Sequence, residues 1–300
     1  MHRMFAAALV IAWTLDAWFG EAPNSVHPVA WLGRVLGPMG RRLCSWQPMA
    51  ALAGGTLAWL AIAAALAGTS YWLQRELEAW PWWLGALAMG CLLKPCFAWR
   101  MLRDEVAAVE QALGQSLQAG RERVARLASR DVSRLQACEV RETAIETLAE
   151  NLNDSVLAPL LWFSLAGLPG AVVYRFANTA DAMWGYRGRY EWAGKFAARA
   201  DDLLSWLPAR LSAALLCPSP RRWAEMRRQA ALTPSPNGGW PMGAMALRLG
   251  VSLRKPGVYA LNEQAGSPEP RHTALALRIA TRAAWLGMLA ALLTCAWSGT

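Results

Sequence analysis

Lysine, histidine and paired cysteine are what this chain has least of. Only three of its 300 residues are lysine (Lys94, Lys195 and Lys255), so the net charge of +9 rests on arginine. The three histidines (His2, His27 and His272) are scattered, and the six cysteines (Cys44, Cys91, Cys96, Cys138, Cys217 and Cys295) form no C-x-x-C pair. Those absences exclude the usual ligand spacing of a structural zinc site. They leave the cysteines as reduced, apolar-packed side chains. No G-K-[ST] run marks a Walker A loop, and no Ser/His/Asp or Cys/His arrangement or internal repeat stands out. Charge itself is scarce, at 17% of residues against roughly 25% in soluble domains.

What is abundant is apolar. Hydrophobic residues reach 55% and there are 18 tryptophans, with a mean hydropathy of +0.18. Tryptophan favours the membrane–water interface. The arginines lie between apolar segments rather than in one stripe, which argues against nucleic acid as a partner and for lipid. Their planar fork suits phosphate and carboxylate.

Apolar segments occur near 4–19, 49–73, 80–99, 156–177, 203–217 and 283–297. The expectation is an all-α, polytopic membrane protein, a single domain over 1–300, with four to five membrane-embedded helical segments and cytoplasmic helical regions. Met49–Leu73 is the clearest span, uncharged throughout and long enough to cross a bilayer. The 4–19 stretch contains Asp16 and has no strongly basic start, which reads as a retained helix rather than a cleaved signal. The 80–99 segment is interrupted by Lys94-Pro95, and a polar link, Gln74–Glu78, precedes it. The 156–177 segment carries Pro159, Gly167, Pro169 and Gly170, and 203–217 carries Pro208 and Arg210. Irregular backbone at membrane depth survives only inside protein, so both read as re-entrant or buried. The basic clusters Arg34/Arg41/Arg42, Arg100/Arg103 and Arg221/Arg222/Arg227/Arg228 predict the cytoplasmic side.

The polar regions 100–155, 178–202 and 218–281 are where chemistry belongs. From Arg100 to Asn151 the apolar spacing is helical, with a break predicted at Ala119-Gly120 and a second helix capped by Ser129, with Asp131 in its first turn. Glu142, Glu146 and Glu150, four apart, lie along one side of that helix. Negative charge near a helix C-terminus is disfavoured, so arginine from elsewhere or Mg²⁺ would neutralise them. Asn151, Asn153 and Asp154 add the oxygen ligands that Mg²⁺ takes. The same spacing also describes a solvated acidic face. Further on, Arg175, Asn178 and Asp181 fall on one helical face at three-residue steps. A buried salt bridge between Arg175 and Asp181 explains them structurally; ionisable groups beside membrane segments are more often functional. Arg199 and Asp202 are spaced for an i,i+3 pair. The turn Ser235-Pro236-Asn237-Gly238-Gly239 opens onto a helix-like run, a natural anion site. Together these favour phosphate-handling chemistry at a membrane face.

Several segments carry a more specific signal: S-R-D-V-S-R-L (129–135), R-E-T-A-I-E-T-L-A-E-N-L-N-D-S (141–155), Y-R-F-A-N-T-A-D-A-M-W-G-Y-R (174–187), A-R-A-D-D-L-L (198–204), S-P-N-G-G (235–239) and D-x-x-x-G-E-x-P with H-P-V between Asp16 and Val29. In this order, over nearly the whole chain, they resemble the CobD/CbiB family of cobalamin biosynthesis proteins. Ser205, Glu21 and Ala180 depart from the residues common there, as does the run after Asn237. The resemblance implies a multi-pass protein of the cell inner membrane, active on its cytoplasmic side. The implied activity is an ATP-dependent ligase that joins aminopropanol, or its O-phosphate, to a carboxylate of (adenosyl)cobyric acid. The product would be cobinamide or adenosylcobinamide phosphate, with ATP and Mg²⁺ required. Carried onto this sequence, the implied catalytic residues are Glu146, Glu150, Asp181 and Asp202. Mg²⁺ would be held by Glu146, Glu150 and Asp154. Arg141, Arg175, Asn178, Arg187, Arg199 and Asn237 would bind substrate or phosphate. The competing classes are a non-catalytic membrane sensor of the same superfamily and a transporter with Asp16, Lys94 and Arg210 along its pathway. The sequence carries no indication of oligomeric state.

Overall fold

A computed structural model describes residues 2–128, 131–186 and 188–297. Its elements are overwhelmingly helical, and its contacts divide into two compact units: 1–98 with 158–205 and 288–300, and 99–157 with 206–287.

The first unit contains α1 (His2–Phe19), α2 (Pro28–Leu43), α3 (Pro48–Glu78), α4 (Trp82–Leu93), α8 (Ala158–Trp184) and α9 (Lys195–Leu204). α1 lies along α4, while α8 packs on α2, α3 and α9. Its core is Leu36, Leu43, Trp59, Phe176, Ala177, Ala180, Trp184 and their alanine neighbours. Trp59 sits 5.3 Å from Phe176 and 5.1 Å from Phe196. The buried Trp184 indole donates to the Leu36 carbonyl at 3.0 Å, which removes the cost of an unpaired N–H.

α3 is a helix of 31 residues that absorbs the predicted span and the Gln74–Glu78 link as its last turn. Much of its apolar surface, including Leu57, Leu60 and Trp72, faces outward, as lipid contact requires. The 80–99 segment is not one helix. α4 has 12 residues, about 18 Å at 1.5 Å per residue, and Lys94–Cys96 then tightens into a 3₁₀ turn. Among the described residues three helices are long and apolar enough to cross a membrane: Pro48–Glu78, the continuous Ala137–Trp184 and Pro270–Ala296.

The break predicted in 156–177 is real but local. Gly167 takes φ 64° and ψ −155° inside α8. The Leu168 N–H thereby released donates to Gln74 Oε1 of α3 at 2.9 Å. Likewise 203–217 splits, with α9 ending at Leu204 and α10 running from Trp206 to Leu216. At 11 residues α10 is too short to span.

Lys94 also organises the start of this unit. Its ammonium lies 3.1 Å from Asp16 and contacts Glu21. Glu21 in turn accepts from His27 Nε2 at 2.6 Å. His27 Nδ1 accepts the Val29 N–H and caps α2, so Nε2 is the protonated nitrogen. Asp16, Glu21 and His27 of the sequence motif are thus one polar chain closed by Lys94.

The second unit holds α5 (Trp99–Gln115), α6 (Leu117–Val124), α7 (Ala137–Leu152), a π turn (Asn153–Leu157), α10, α11 (Trp223–Ala230), α12 (Gly239–Leu249), strands β1 (Leu253–Lys255) and β2 (Tyr259–Leu261), and the first part of α13 (Pro270–Trp297). The strands form an antiparallel hairpin, Leu253 opposite Leu261 and Lys255 opposite Tyr259, an exception to the all-helical expectation. The α5–α6 break falls at Ser116 rather than Ala119-Gly120, because the Ser116 hydroxyl accepts from the Ala119 N–H and caps α6. α7 starts later than expected. Asp131 takes the Ser133 N–H in a local turn at 2.9 Å, and the helix opens with the Gln136 N–H on Glu139 at 2.6 Å. Ser129, the predicted cap, lies outside the described residues.

The kink gives a test. Gly167→Ala places a Cβ against the Gln74 side chain at a left-handed φ, and we expect a loss of about 1–2 kcal/mol. Gly68 meets nothing within 4 Å, so Gly68→Ala should leave the detergent-solubilised Tm unchanged or slightly raised. Equal shifts for the two variants would show that the kink is not demanded.

Candidate functional site

The second unit builds its polar centre on α7. The four-residue spacing puts Glu142, Glu146 and Glu150 on one side of the helix, as predicted, but that side is not a solvated acidic face: Glu142 is 0% and Glu146 5% exposed. Burying a carboxylate is costly unless it is paired. Arg254 of β1 supplies the partner for Glu142, with Nη2 at 3.1 Å and Nε at 3.3 Å from Oε1. Glu142 in turn holds the Arg254 guanidinium above its usual pKa.

One turn along, Glu146 and Glu150 line a cavity of about 120 Å³ together with Thr143, Thr147 and Asn151 of α7 and Lys255 and Tyr259 of the hairpin. The hairpin follows from R-K-P-G-V-Y. Pro256 and Gly257 (φ 72°) occupy the central positions of a turn closed by the Val258 N–H on the Lys255 carbonyl at 2.9 Å, the pattern of a type II turn.

The predicted loop stands beside this cavity. A Cβ placed on Gly238 would lie 3.0 Å from Glu150 Oε1, so the loop comes close to this carboxylate. Ser235 Oγ accepts from the Asn237 and Gly238 N–H groups at 3.2 and 3.1 Å. Asn237 is buried, and its Oδ1 accepts from Arg210 Nη1 at 2.7 Å. Arg210 also donates to the Trp206 and Pro236 carbonyls and lies 4.5 and 4.9 Å from the Trp206 and Trp240 rings. It is thus a clamp on the loop.

The other predicted residues divide by unit. Asp154 accepts from Asn153 Nδ2 at 2.7 Å, and Asn153 Oδ1 accepts from Ser212 at 2.9 Å. Arg141 makes a two-pronged pair with Glu110 of α5 at 2.9–3.0 Å, and Thr273 completes it at 2.7 Å. Its guanidinium ties α5, α7 and α13 together in the second unit. In the first unit Arg175, Asn178 and Asp181 share the half-buried edge of α8. Arg199 is 78% exposed and 3.9 Å from Asp202; burial raises the Asp202 pKa and Arg199 lowers it in part. Arg187 lies outside the described residues.

Sequence reasoning missed Arg254, Lys255 and Tyr259, and it named Arg210 without its hold on the loop. The turn signal Pro256-Gly257 between Arg254-Lys255 and Tyr259 was the clue available for the first three.

For Mg²⁺ the donor chemistry is suitable in part. Among the described residues no three carboxylate, histidine or cysteine groups converge as a ready cage. Two carboxylates, Glu146 and Glu150, share the cavity, and Mg²⁺ commonly takes one or two carboxylates with phosphate and water completing the shell.

Known proteins place the chain. A family model described as CobD/Cbib protein matches residues 9–286. The chain is 40% identical over 261 residues to the probable cobalamin biosynthesis protein CobD of Thermococcus kodakarensis, covering 86% of this chain and 85% of that one. It is 37% identical over 317 residues to the cobalamin biosynthesis protein CobD of Rhodobacter capsulatus, covering 98% and 99%. No solved structure matches. With most of its length matched by the family model, and with relatives aligned across both chains, this protein belongs to the CobD/CbiB family.

Proposed function

We propose that the protein acts in cobalamin biosynthesis as an ATP-dependent carboxylate–amine ligase, joining aminopropanol or its O-phosphate to a carboxylate of (adenosyl)cobyric acid. It would do so at the cytoplasmic face of the inner membrane. The observation that carries the reading is the cavity of the second unit, where Glu146 and Glu150 share a small polar space with Lys255 and Tyr259 in a chain of this family.

A carboxylate acylates poorly until its oxygen can leave. In the proposed reaction the substrate carboxylate oxygen attacks the γ-phosphorus of ATP, the bond to the bridging oxygen breaks, and ADP departs. The amine nitrogen then attacks the carbonyl carbon of the acyl phosphate. The C–O bond breaks, inorganic phosphate leaves and the nitrogen loses a proton. Charge on the transferring group is the barrier, so catalysis is mainly positioning and electrostatics.

Glu146 and Glu150 would hold Mg²⁺, which neutralises phosphate oxygens when bound. Asp154, anchored through Asn153 to Ser212, completes the proposed acidic set. Asn237, oriented by Arg210, would direct its amide at substrate. Arg175, Arg187 and Arg199 are the proposed phosphate contacts, Asn178 a proposed substrate contact, and Asp181 or Asp202 the proposed base for the amine, as the family resemblance implies. Arg141, whose fork is paired with Glu110, would serve position rather than binding. Of the residues set along a transporter pathway, Asp16 and Lys94 bind one another and Arg210 binds Asn237.

Conversion of cobyric acid tests this reading directly. Membranes carrying the protein, given ATP, Mg²⁺, cobyric acid and the amine, should form the amide, and a deletion strain should grow on cobinamide but not on cobyric acid. Glu146→Gln and Glu150→Gln should each lower turnover about 10²-fold or more, on the scale of removing one electrostatic group from a reacting centre. Full activity in both variants would remove these carboxylates from the mechanism. Arg254→Ala should cost about 1–3 kcal/mol by leaving the Glu142 carboxylate buried and unpaired. Adding Glu142→Gln should recover part of that loss in thermal unfolding.

A further inference from the structure

An apolar groove at the end of α10 has no part in the proposed reaction. It encloses about 700 Å³ between Ala214 of α10, Cys217, Pro218 and Pro220 of the link that follows, and Trp223 and Met226 of α11. Ligand pockets run roughly 300–1,000 Å³, so the groove has room for an extended chain. Its wall offers little to a polar guest. Pro218 and Pro220 have no backbone N–H. The Cys217 N–H donates to the Ala213 carbonyl at 2.9 Å and the Ser219 N–H to the Cys217 carbonyl at 2.7 Å. The α11 side is held in place: the Trp223 ring lies 4.9 Å from that of Trp240, and Arg222 donates to the Leu247 carbonyl of α12 at 2.6 Å. The depth of the groove is readable from α13, which is long and apolar enough to cross a membrane. Its outward residues change from Arg278 and Arg282 to Trp285 and Leu286, the order expected where a helix passes from headgroups into hydrocarbon. α10 meets α13 just beyond that change, since a Cβ on Gly287 would lie 4.0 Å from Leu215 Cδ1. Leu215 adjoins the groove residue Ala214.

We propose that this groove binds one phospholipid with an anionic headgroup, an acyl chain lying along Cys217, Trp223 and Met226 and the phosphate on Arg221 and Arg227. Charge complementarity selects the headgroup. Arg221 adjoins the groove residue Pro220, and Arg227 follows Trp223 by four positions, on the same face of α11. Arg221, Arg227 and Arg228 are exposed and make no ion pair among the described residues. Glu225 is the one carboxylate between 218 and 231. A basic rim of this kind attracts anionic lipid and is indifferent to a zwitterionic one. Depth selects a chain already in the bilayer over a soluble guest, because the groove stands where the exposed face of α13 has become apolar. The lipid site is independent of the ligase chemistry and uses none of its residues.

The test uses the full-length protein in phosphatidylcholine nanodiscs doped with phosphatidylglycerol that carries a photoactivated diazirine in its acyl chain. Labelled peptides are mapped by mass spectrometry. Labelling should concentrate on 214–226 and fall when unlabelled phosphatidylglycerol is added, but not when glycerol phosphate is added in solution. A phosphatidylcholine probe with the same chain should label this stretch weakly. Arg221→Gln combined with Arg227→Gln should lower the phosphatidylglycerol signal about 10- to 30-fold, roughly 5-fold for each basic residue near an anionic surface. Arg126→Gln combined with Arg134→Gln removes two exposed arginines that do not line the groove and should leave the signal unchanged. Ala214→Leu, which narrows the groove, should lower labelling by either probe; if it melts earlier than wild type, Ser219→Leu replaces it. Equal labelling by the two probes, competition by glycerol phosphate, or an equal loss in both arginine pairs overturns the proposal. So does the absence of label at 214–226 in folded wild type.

Discussion

The polar centre of the second unit depends on one ion pair. Glu142 is inaccessible to water, and a buried carboxylate persists only with a partner. The partner is Arg254, on the first strand of a hairpin that has three residues per strand. Two such strands alone are marginal in water. Joined to α7 by a charge pair, and with Leu253 and Leu261 buried beneath it, the ribbon acquires a fixed register. That register sets where Lys255 and Tyr259 stand relative to Glu146 and Glu150. Arg254 is therefore a residue whose electrostatics act on the cavity through geometry.

A second tether works from the opposite end of the site. Arg210 is held by two carbonyls and two indole rings and closes on Asn237, so the Ser235–Gly239 turn has little freedom. A Cβ on Gly238 would press closely on Glu150, and α12, which follows, is buried along almost its whole length. The loop is thus carried by a core helix on one side and an arginine clamp on the other. A substrate contact placed there is prepared before substrate arrives, which is where the gain in positioning comes from.

The sequence was most legible where one physical signal acted alone. An uncharged run of 25 residues could be nothing but an apolar helix, and α3 contains it. The stripe of Glu142, Glu146 and Glu150 was readable from the 3.6-residue period, and the break near Gly167 from its Pro and Gly content. What was hidden depended on partners distant in the chain. Nothing near Glu142 announces Arg254, 112 residues away, so a buried acidic stripe and a solvated one looked alike. The pairing of Arg141 with Glu110, 31 residues back, likewise has no local cue. The hairpin escaped because three-residue strands are too short for period-two alternation. α7 opens only at Gln136, after Asp131 has made its own turn with Ser133, a local competition that spacing rules do not weigh.

Scale decides how such a site would meet a macrocyclic substrate. A cavity of about 120 Å³ admits a phosphoryl group or a short amino alcohol and excludes a corrin ring. Under the proposed reaction, the macrocycle stays outside and reaches in only through the side chain that bears its carboxylate. The demands on the protein then separate. The cavity must hold charge and exclude water around a few atoms, where a low local dielectric strengthens each contact. The ring needs only an open surface beside it. Under that reaction, tight charge control and loose recognition of a large ligand would coexist in one chain.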